Sequence, residues 1–288
     1  DTWFSSGLFP FSTLGWPDET TEDYNAFFPG HILETGHDIL FFWVARMVMM
    51  SLCFTDKLPF REVYLHPLIK DKQGKKMSKS LGNVIDPLEV IDGCTLETLQ
   101  DKLRNSNLSP KEVQKGIKDK AKEFPEGIPP CGSDSLRFSL LIYMTQPRTI
   151  NLDLNRIIGY RLFCSKIWNS VKFALTYYPS NFTPAKSISD LKLSYADNWI
   201  LSKLHKLSIS SNENLSQHNY GAFSNDLYNF FQKEFCDVYI EASKVVLQGE
   251  ESESKTAALN TLFITIDHSL RLFHPMMPYI TEELYQRL

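Results

Sequence analysis

The pentapeptide Lys76-Met77-Ser78-Lys79-Ser80 sets two ammonium groups three positions apart among small hydroxyl residues, with Gly74 and Gly82 on either side. The glycines let such a loop move, and its hydroxyls and backbone N–H groups can donate to phosphate oxygens. Lysines held in this way can stabilise the negative charge that develops as pyrophosphate leaves ATP. The stretch Arg61–Ser80 holds Arg61, Lys70, Lys72, Lys75, Lys76 and Lys79 against only Glu62 and Asp71, although the whole chain has a net charge of −4. A local basic patch matters more for phosphate binding than the total charge does. Composition alone also fits a merely solvated lysine loop.

Elements that would position this loop can be read on both sides of it. His31–Thr35 and Val63–Ile69 are short β-capable runs. Between them, Asp38–Leu52 reads as a helix with apolar side chains on nearly every face, as expected for a helix buried against a sheet. Strand, buried helix and strand predict a parallel β-α-β unit, in which ligands sit at the carboxyl ends of the strands. Thr35–Asp38 and His66–Asp71 would converge there. After the loop, Asp86 is a good N-cap, Pro87 suits the first helical position, and Glu89 would complete a capping box.

Leu96–Lys122 is charged with weak periodicity and ends at the breaker run Phe124–Pro130, which predicts an inserted helical hairpin and linker. From Ser133 onward the chain reads as helical. Ile157, Tyr160, Cys164, Ile167, Val171 and Leu175 recur at helical spacing, and further helices are predicted over Ala196–Gln217, Ala222–Leu247 and Lys255–Phe273. Thr281 is expected to cap a last helix. Helices of this length joined by short loops make a bundle.

The 288 residues suffice for roughly two domains. Five widely spaced cysteines without a CxxC pair argue against a disulfide framework and a zinc site, and no metal is expected. The longest apolar stretch, around Ile39–Met50, is interrupted by Arg46 and falls short of the ~20 residues of a membrane span. The chain opens on Asp1-Thr2-Trp3-Phe4, without an initiator Met or a targeting pattern, so it reads as the interior of a longer protein.

Lys76–Ser80 resembles, residue for residue, the KMSKS signature of the class I aminoacyl-tRNA synthetases. The run Glu34-Thr35-Gly36-His37-Asp38-Ile39-Leu40-Phe41-Phe42-Trp43-Val44-Ala45-Arg46-Met47 is similar to the valyl branch of that family. So is Asp1–Ser6 followed by Phe11–Pro17. The resemblance extends over essentially the whole chain. It implies an α/β Rossmann-like partial catalytic domain followed by an all-α helical bundle that binds the anticodon. The expected boundaries are 1–93 for the second half of the catalytic domain, 94–150 for an inserted helical segment with a stem-contact region, and 151–288 for the bundle.

The activity implied is valine–tRNA ligation: ATP-dependent formation of valyl-adenylate, then transfer to tRNA(Val). ATP with Mg2+, valine and tRNA(Val) are the expected partners of a monomer in the cytoplasm, with no membrane. The family's HIGH-like motif and editing insert have no counterpart here. The expectation is therefore a C-terminal portion of a eukaryotic-type enzyme, inactive alone and with no cofactor bound. The resemblance assigns Lys76 and Lys79 to catalysis, and Gly36, Asp38, His66, Lys76, Met77, Ser78, Lys79 and Ser80 to ATP or the adenylate. Trp3 and Trp43 would wall the amino-acid pocket. Plainer accounts stay open for single residues: Asp38 as a helix cap, the tryptophans as core, His66 as structural. A tRNA-binding module without catalysis and an isoleucyl enzyme are the alternatives. Asp134 and Arg137 are expected to be structural, and Tyr228, Phe231 and Phe235 to be bundle core.

Overall fold

The computed structural model describes residues 2–78, 83–145 and 148–288. They divide into two compact units, Asp1–Lys70 with Gln146–Asn151 and Asp71–Thr145 with Leu152–Leu288.

In the first unit, α1 (Thr2–Ser12) and α2 (Glu22–Phe27) precede β1 (Gly30–Gly36). The chain then winds through a 3-10 turn and a π-helical turn into α3 (Ala45–Thr55). It returns as β2 (Phe60–His66), which runs parallel to β1 with Gly30 opposite Phe60 and Gly36 opposite His66. This is the predicted strand–helix–strand unit. A second parallel pair joins β3 (Leu68–Lys70) to β4 (Thr149–Asn151).

The crossover helix departs from expectation in its burial. Val44 and Met47 pack with Phe60, but Phe41 is 77% and Met49 69% exposed. Among the described residues the sheet covers one side of this helix and α1 another, where Met50 lies against Gly7, while the side bearing Phe41, Met49 and Leu52 faces outward. His37–Thr55, with 19 residues and a mean hydropathy of 1.6, has the length and composition of a membrane span. Yet it joins two strands hydrogen-bonded in one sheet, which holds both of its ends at that sheet.

In the second unit, α4 (Pro87–Asp92) starts as predicted: Asp86 Oδ1 accepts from the Leu88 N–H at 3.0 Å. Glu89 does not close a capping box. Its buried carboxylate instead meets Lys102 Nζ at 2.6 Å, a charge-assisted bond stronger than one to a backbone N–H. The predicted hairpin is present as α5 (Leu96–Arg104) and α6 (Pro110–Glu123). Cys94 and Ile128 close its base with two backbone hydrogen bonds of 2.9 and 2.8 Å.

The bundle comprises α7 (Ser133–Ile142), α8 (Leu154–Tyr177), α9 (Tyr195–Ser216), α10 (Tyr220–Asn229), α11 (Glu241–Leu247), α12 (Glu253–Phe273) and α13 (Pro278–Tyr285). A π-helical run, Phe230–Ile240, links α10 to α11 without a break. Phe138, Ile167, Phe231, Phe235 and Phe273 are fully buried, and Tyr228 stands 4.8 Å from Phe163 between ring centroids. The aromatic stripe is therefore core, as expected. Within α12, Thr261, Thr265 and Ser269 donate to carbonyls one turn back, so small polar residues enter the core without stranded donors.

Thr281 is not a cap. It lies inside α13 and donates to Met277 O at 2.8 Å. The cap comes from α7: Asp134 accepts from the Ile280 N–H at 2.7 Å and the Tyr279 N–H at 3.4 Å. Arg137 donates to Met276 O at 3.0 Å and to Pro275 O at 3.1 Å. These two residues tie the last turn of the chain to the start of the bundle. Asp134→Ala is expected to cost about 1–2 kcal/mol, the usual scale for removing a cap, and Asp134→Asn less because it keeps an acceptor. Urea melts check this. Burial raises the Asp134 carboxyl pKa, against the two N–H donors and the charges of Arg137 and His274. A raised folded value means the native state holds the proton more tightly, so this contribution to stability falls as pH rises through the carboxylate range toward that value. The Asn variant lacks that dependence.

Candidate active site

The carboxyl ends of β1 and β2 bring together Glu34, Gly36, Asp38 and His66. His66 Nε2 lies 3.4 Å from Glu34 Oε1, and its Nδ1 lies 3.2 Å from Pro67 O. A Cβ on Gly36 would stand 2.7 Å from Asp38 Oδ1 and 3.8 Å from the His66 ring, so only glycine leaves the Asp38 carboxylate room. Asp38 sits within the short 3-10 turn His37–Ile39 and is exposed. The positions preceding that turn and the π-helical turn after it are Gly36 and Ile39. An exposed carboxylate beside a close-approach glycine can accept paired sugar hydroxyls. Sequence reasoning missed Glu34, though its place two residues before Gly36 puts it on the same face of the strand.

Trp3 and Trp43 line one cavity of about 300 Å³ together with Thr2, Ser6, Phe42 and Arg46. Trp43 Nε1 donates to Ser6 Oγ at 2.7 Å, which fixes the indole plane. The Arg46 guanidinium lies over the Trp3 ring, 4.8 Å from its centroid. The two predicted wall residues therefore share a pocket, and Ser6 and Arg46 hold them in place.

The lysine loop has an anchor that the motif does not advertise. Asp71 Oδ1 accepts from the Lys75 N–H at 2.7 Å and the Gln73 N–H at 3.1 Å, and its Oδ2 accepts from Asn83 Nδ2 at 2.9 Å. Asn83 Nδ2 also donates to Lys76 O at 3.2 Å, while its Oδ1 accepts from the Ser78 N–H at 3.0 Å. The turn Asp71–Lys75 closes through Gly74 at φ +78°, a conformation glycine adopts without strain. Burial pushes the Asp71 carboxyl up, but the donors from Asn83, Lys75 and Gln73 and the Lys75 charge outweigh it and leave the pKa lowered. Lys76 is exposed, and Met77 and Ser78 are partly covered. Lys79 and Ser80 lie outside the described residues.

Burial raises the thiol pKa values of Cys94, Cys131 and Cys164, and takes that of Cys236 to about 11, so none of these four is poised as a thiolate. No group of three or more His, Cys, Asp or Glu side chains forms a metal cage among the described residues.

A family model described as tRNA synthetases class I (I, L, M and V) matches residues 1–153, and one described as the anticodon-binding domain of tRNA ligase matches residues 197–288. The chain belongs to the class I tRNA synthetases. Among similar curated proteins, the valine–tRNA ligase of Mus musculus is 54% identical over all of this chain and 23% of its own length. That of Homo sapiens is 53% identical over the same shares. The mitochondrial valine–tRNA ligase 1 of Arabidopsis thaliana is 50% identical over all of this chain and 26% of its own. The chain thus spans about a quarter of the length of the curated relatives it matches.

Solved structures agree in fold at 18% identity. The LeuRS–tRNA–LeuAMS complex of Agrobacterium radiobacter K84 aligns with 99% of this chain and 30% of its own at a TM-score of 0.64. Mycobacterium tuberculosis methionyl-tRNA synthetase with methionyl-adenylate aligns with 98% and 49%, also at 0.64. The fold is therefore that of a synthetase catalytic α/β domain continuing into a helical bundle.

Proposed function

We propose that the whole protein is a valine–tRNA ligase, with residues 1–93 as the second half of its catalytic domain, 94–150 as an inserted hairpin and stem-contact region, and 151–288 as its anticodon-binding bundle. Identity of 49–54% to valine–tRNA ligases across the entire chain carries this reading. The valine carboxylate attacks the α-phosphorus of ATP, the bond from that phosphorus to the bridging oxygen breaks, and pyrophosphate leaves with the electron pair. A terminal ribose hydroxyl of tRNA(Val) then attacks the adenylate carbonyl, and AMP departs.

Each residue has a task that fits its chemistry. Gly36 and Asp38 receive the ribose, and His66, held by Glu34, faces the nucleotide. Lys76 and Lys79 neutralise the leaving pyrophosphate, while the hydroxyls of Ser78 and Ser80 and the Met77 N–H supply donors to the ATP oxygens. Trp3 and Trp43 give rigid apolar walls, which disfavour larger side chains sterically but reject threonine only ~100-fold. Mg2+ enters with the ATP phosphates, as this ion usually does. The enzyme works as a cytoplasmic monomer.

The test is ATP–pyrophosphate exchange by the whole protein with valine or isoleucine as the activating amino acid. Valine should be preferred about 100-fold or more in kcat/KM. Preferential use of isoleucine would overturn the assignment, as would exchange that needs no amino acid.

A further inference from the structure

The hairpin α5–α6 plays no part in the chemistry above, yet its second helix is unusually ordered in charge. Lys111, Lys115, Lys118 and Lys122 follow one another at four, three and four residues, a spacing that stacks them on a single face of α6. The line they form is about 16 Å long at 1.5 Å per residue. All four side chains are exposed. None of them forms an ion pair or hydrogen bond among the described residues, unlike Lys102, which is held by Glu89, and Lys120, which lies 5.4 Å from the centroid of Phe124.

Helix stability alone would not select this pattern. Like charges at i and i+4 repel, and Lys111 puts a cation in the first turn, where the helix dipole disfavours it; of the four only Lys122, in the last turn, is favoured by that dipole. The acidic residues of α6 (Glu112, Asp119, Glu123) fall in a neighbouring strip and do not interrupt the line. The opposite face is fixed: Val113 and Ile117 are partly covered, and a Cβ on Gly116 would stand 3.1 Å from Leu103 Cδ1, so α6 lies close on α5 with the lysines turned outward.

We infer that this lysine line is a contact for the phosphate backbone of tRNA, independent of base sequence. A row of unpaired cations about 16 Å long complements an extended polyanion, and of the substrates of a tRNA ligase tRNA is the one that presents phosphates along such a length. A lipid surface is disfavoured because large apolar side chains do not flank the line, as an interfacial helix requires. The choice of tRNA rests on the synthetase reading, whereas the surface itself rests on the geometry of α6.

The experiment is tRNA(Val) binding by fluorescence anisotropy across 50–200 mM KCl, using the whole protein and a K111Q/K115Q/K118Q/K122Q variant. Circular dichroism and a thermal melt confirm that the variant is folded. The variant should bind at least tenfold more weakly at 50 mM KCl, with its log Kd–log[KCl] slope reduced by two or more; each phosphate that is no longer neutralised lowers that slope by about 0.7–0.9. A noncognate tRNA should weaken by the same factor, and the corresponding Lys→Arg variant should bind as the parent does. An unchanged slope would overturn the inference. So would lysine-dependent binding to phosphatidylserine vesicles or to an acidic protein without any effect on tRNA. Failure of the unaltered protein to bind tRNA at all would instead remove the ligase reading, so the two failures are distinguishable.

Discussion

Lys79→Ala in the whole protein should lower valine-dependent pyrophosphate exchange roughly 10²–10³-fold, the usual loss when one preorganised charge-stabilising group is removed. In the proposed mechanism the lysine meets charge that grows as the bond to the bridging oxygen breaks, so the loss belongs in kcat more than in KM for ATP. Lys76→Ala should fall in the same direction. Two ammonium groups on one departing pyrophosphate share its charge, and the double variant should then lose less than the product of the single losses. Exchange within a few-fold of wild type in Lys79→Ala would remove this residue from the mechanism.

Asp71→Ala carries the second large expectation, at roughly 10–10²-fold in the same assay. Asp71 touches no substrate in this account; it is a positioning residue. One carboxylate oxygen holds the Gln73 and Lys75 N–H groups, and the other holds Asn83, whose amide in turn fixes Lys76 O and the Ser78 N–H. Removing the carboxylate takes the acceptor from the Gln73 and Lys75 N–H groups and cuts the link from Asn83 to the Asp71 turn, which loosens the loop. A displacement of about 1 Å in a catalytic group can cost 10²-fold. Asn83→Ala should reproduce part of the loss. Asp71→Asn, which keeps acceptor capacity on one oxygen, should fall between Ala and wild type.

The lowered pKa of Asp71 gives the sign of its pH dependence. A carboxyl with a depressed folded value binds its proton less tightly in the native state. It therefore contributes stability above the ordinary carboxylate pKa and loses it only as pH falls through the lower folded value. The anchor should stay closed across the neutral range. Loss of exchange near neutral pH in wild type must then come from another group.

The parts legible from sequence were those with local rules. The lysine pentapeptide, the β-α-β unit, the hairpin between Leu96 and Pro130, and the core stripe of α8 all announce themselves through spacing, alternation or breakers. What escaped depends on partners distant along the chain. Asp71 and Asn83 are 12 residues apart and meet only because the loop returns on itself. Asp134 caps a helix 145 and 146 residues away, so Thr281, the nearest good capping residue, was the natural but wrong choice. Glu89 satisfied a local capping rule, yet an ammonium from α5 offered it the stronger bond. The outward apolar side of the crossover helix has the same root: periodicity reports which faces are apolar, not what covers them.

The central claim is that the lysine loop serves adenylate formation in a valine-activating enzyme. Single-turnover rates test it most directly, with valyl-adenylate formation measured from valine and ATP, and transfer to tRNA(Val) measured from preformed adenylate. Pyrophosphate has already left before transfer, so the loop lysines have no charge to stabilise in that step. Lys79→Ala should slow adenylate formation by at least 10²-fold and leave transfer within a few-fold of wild type. Equal slowing of both steps, or of neither, would contradict the account.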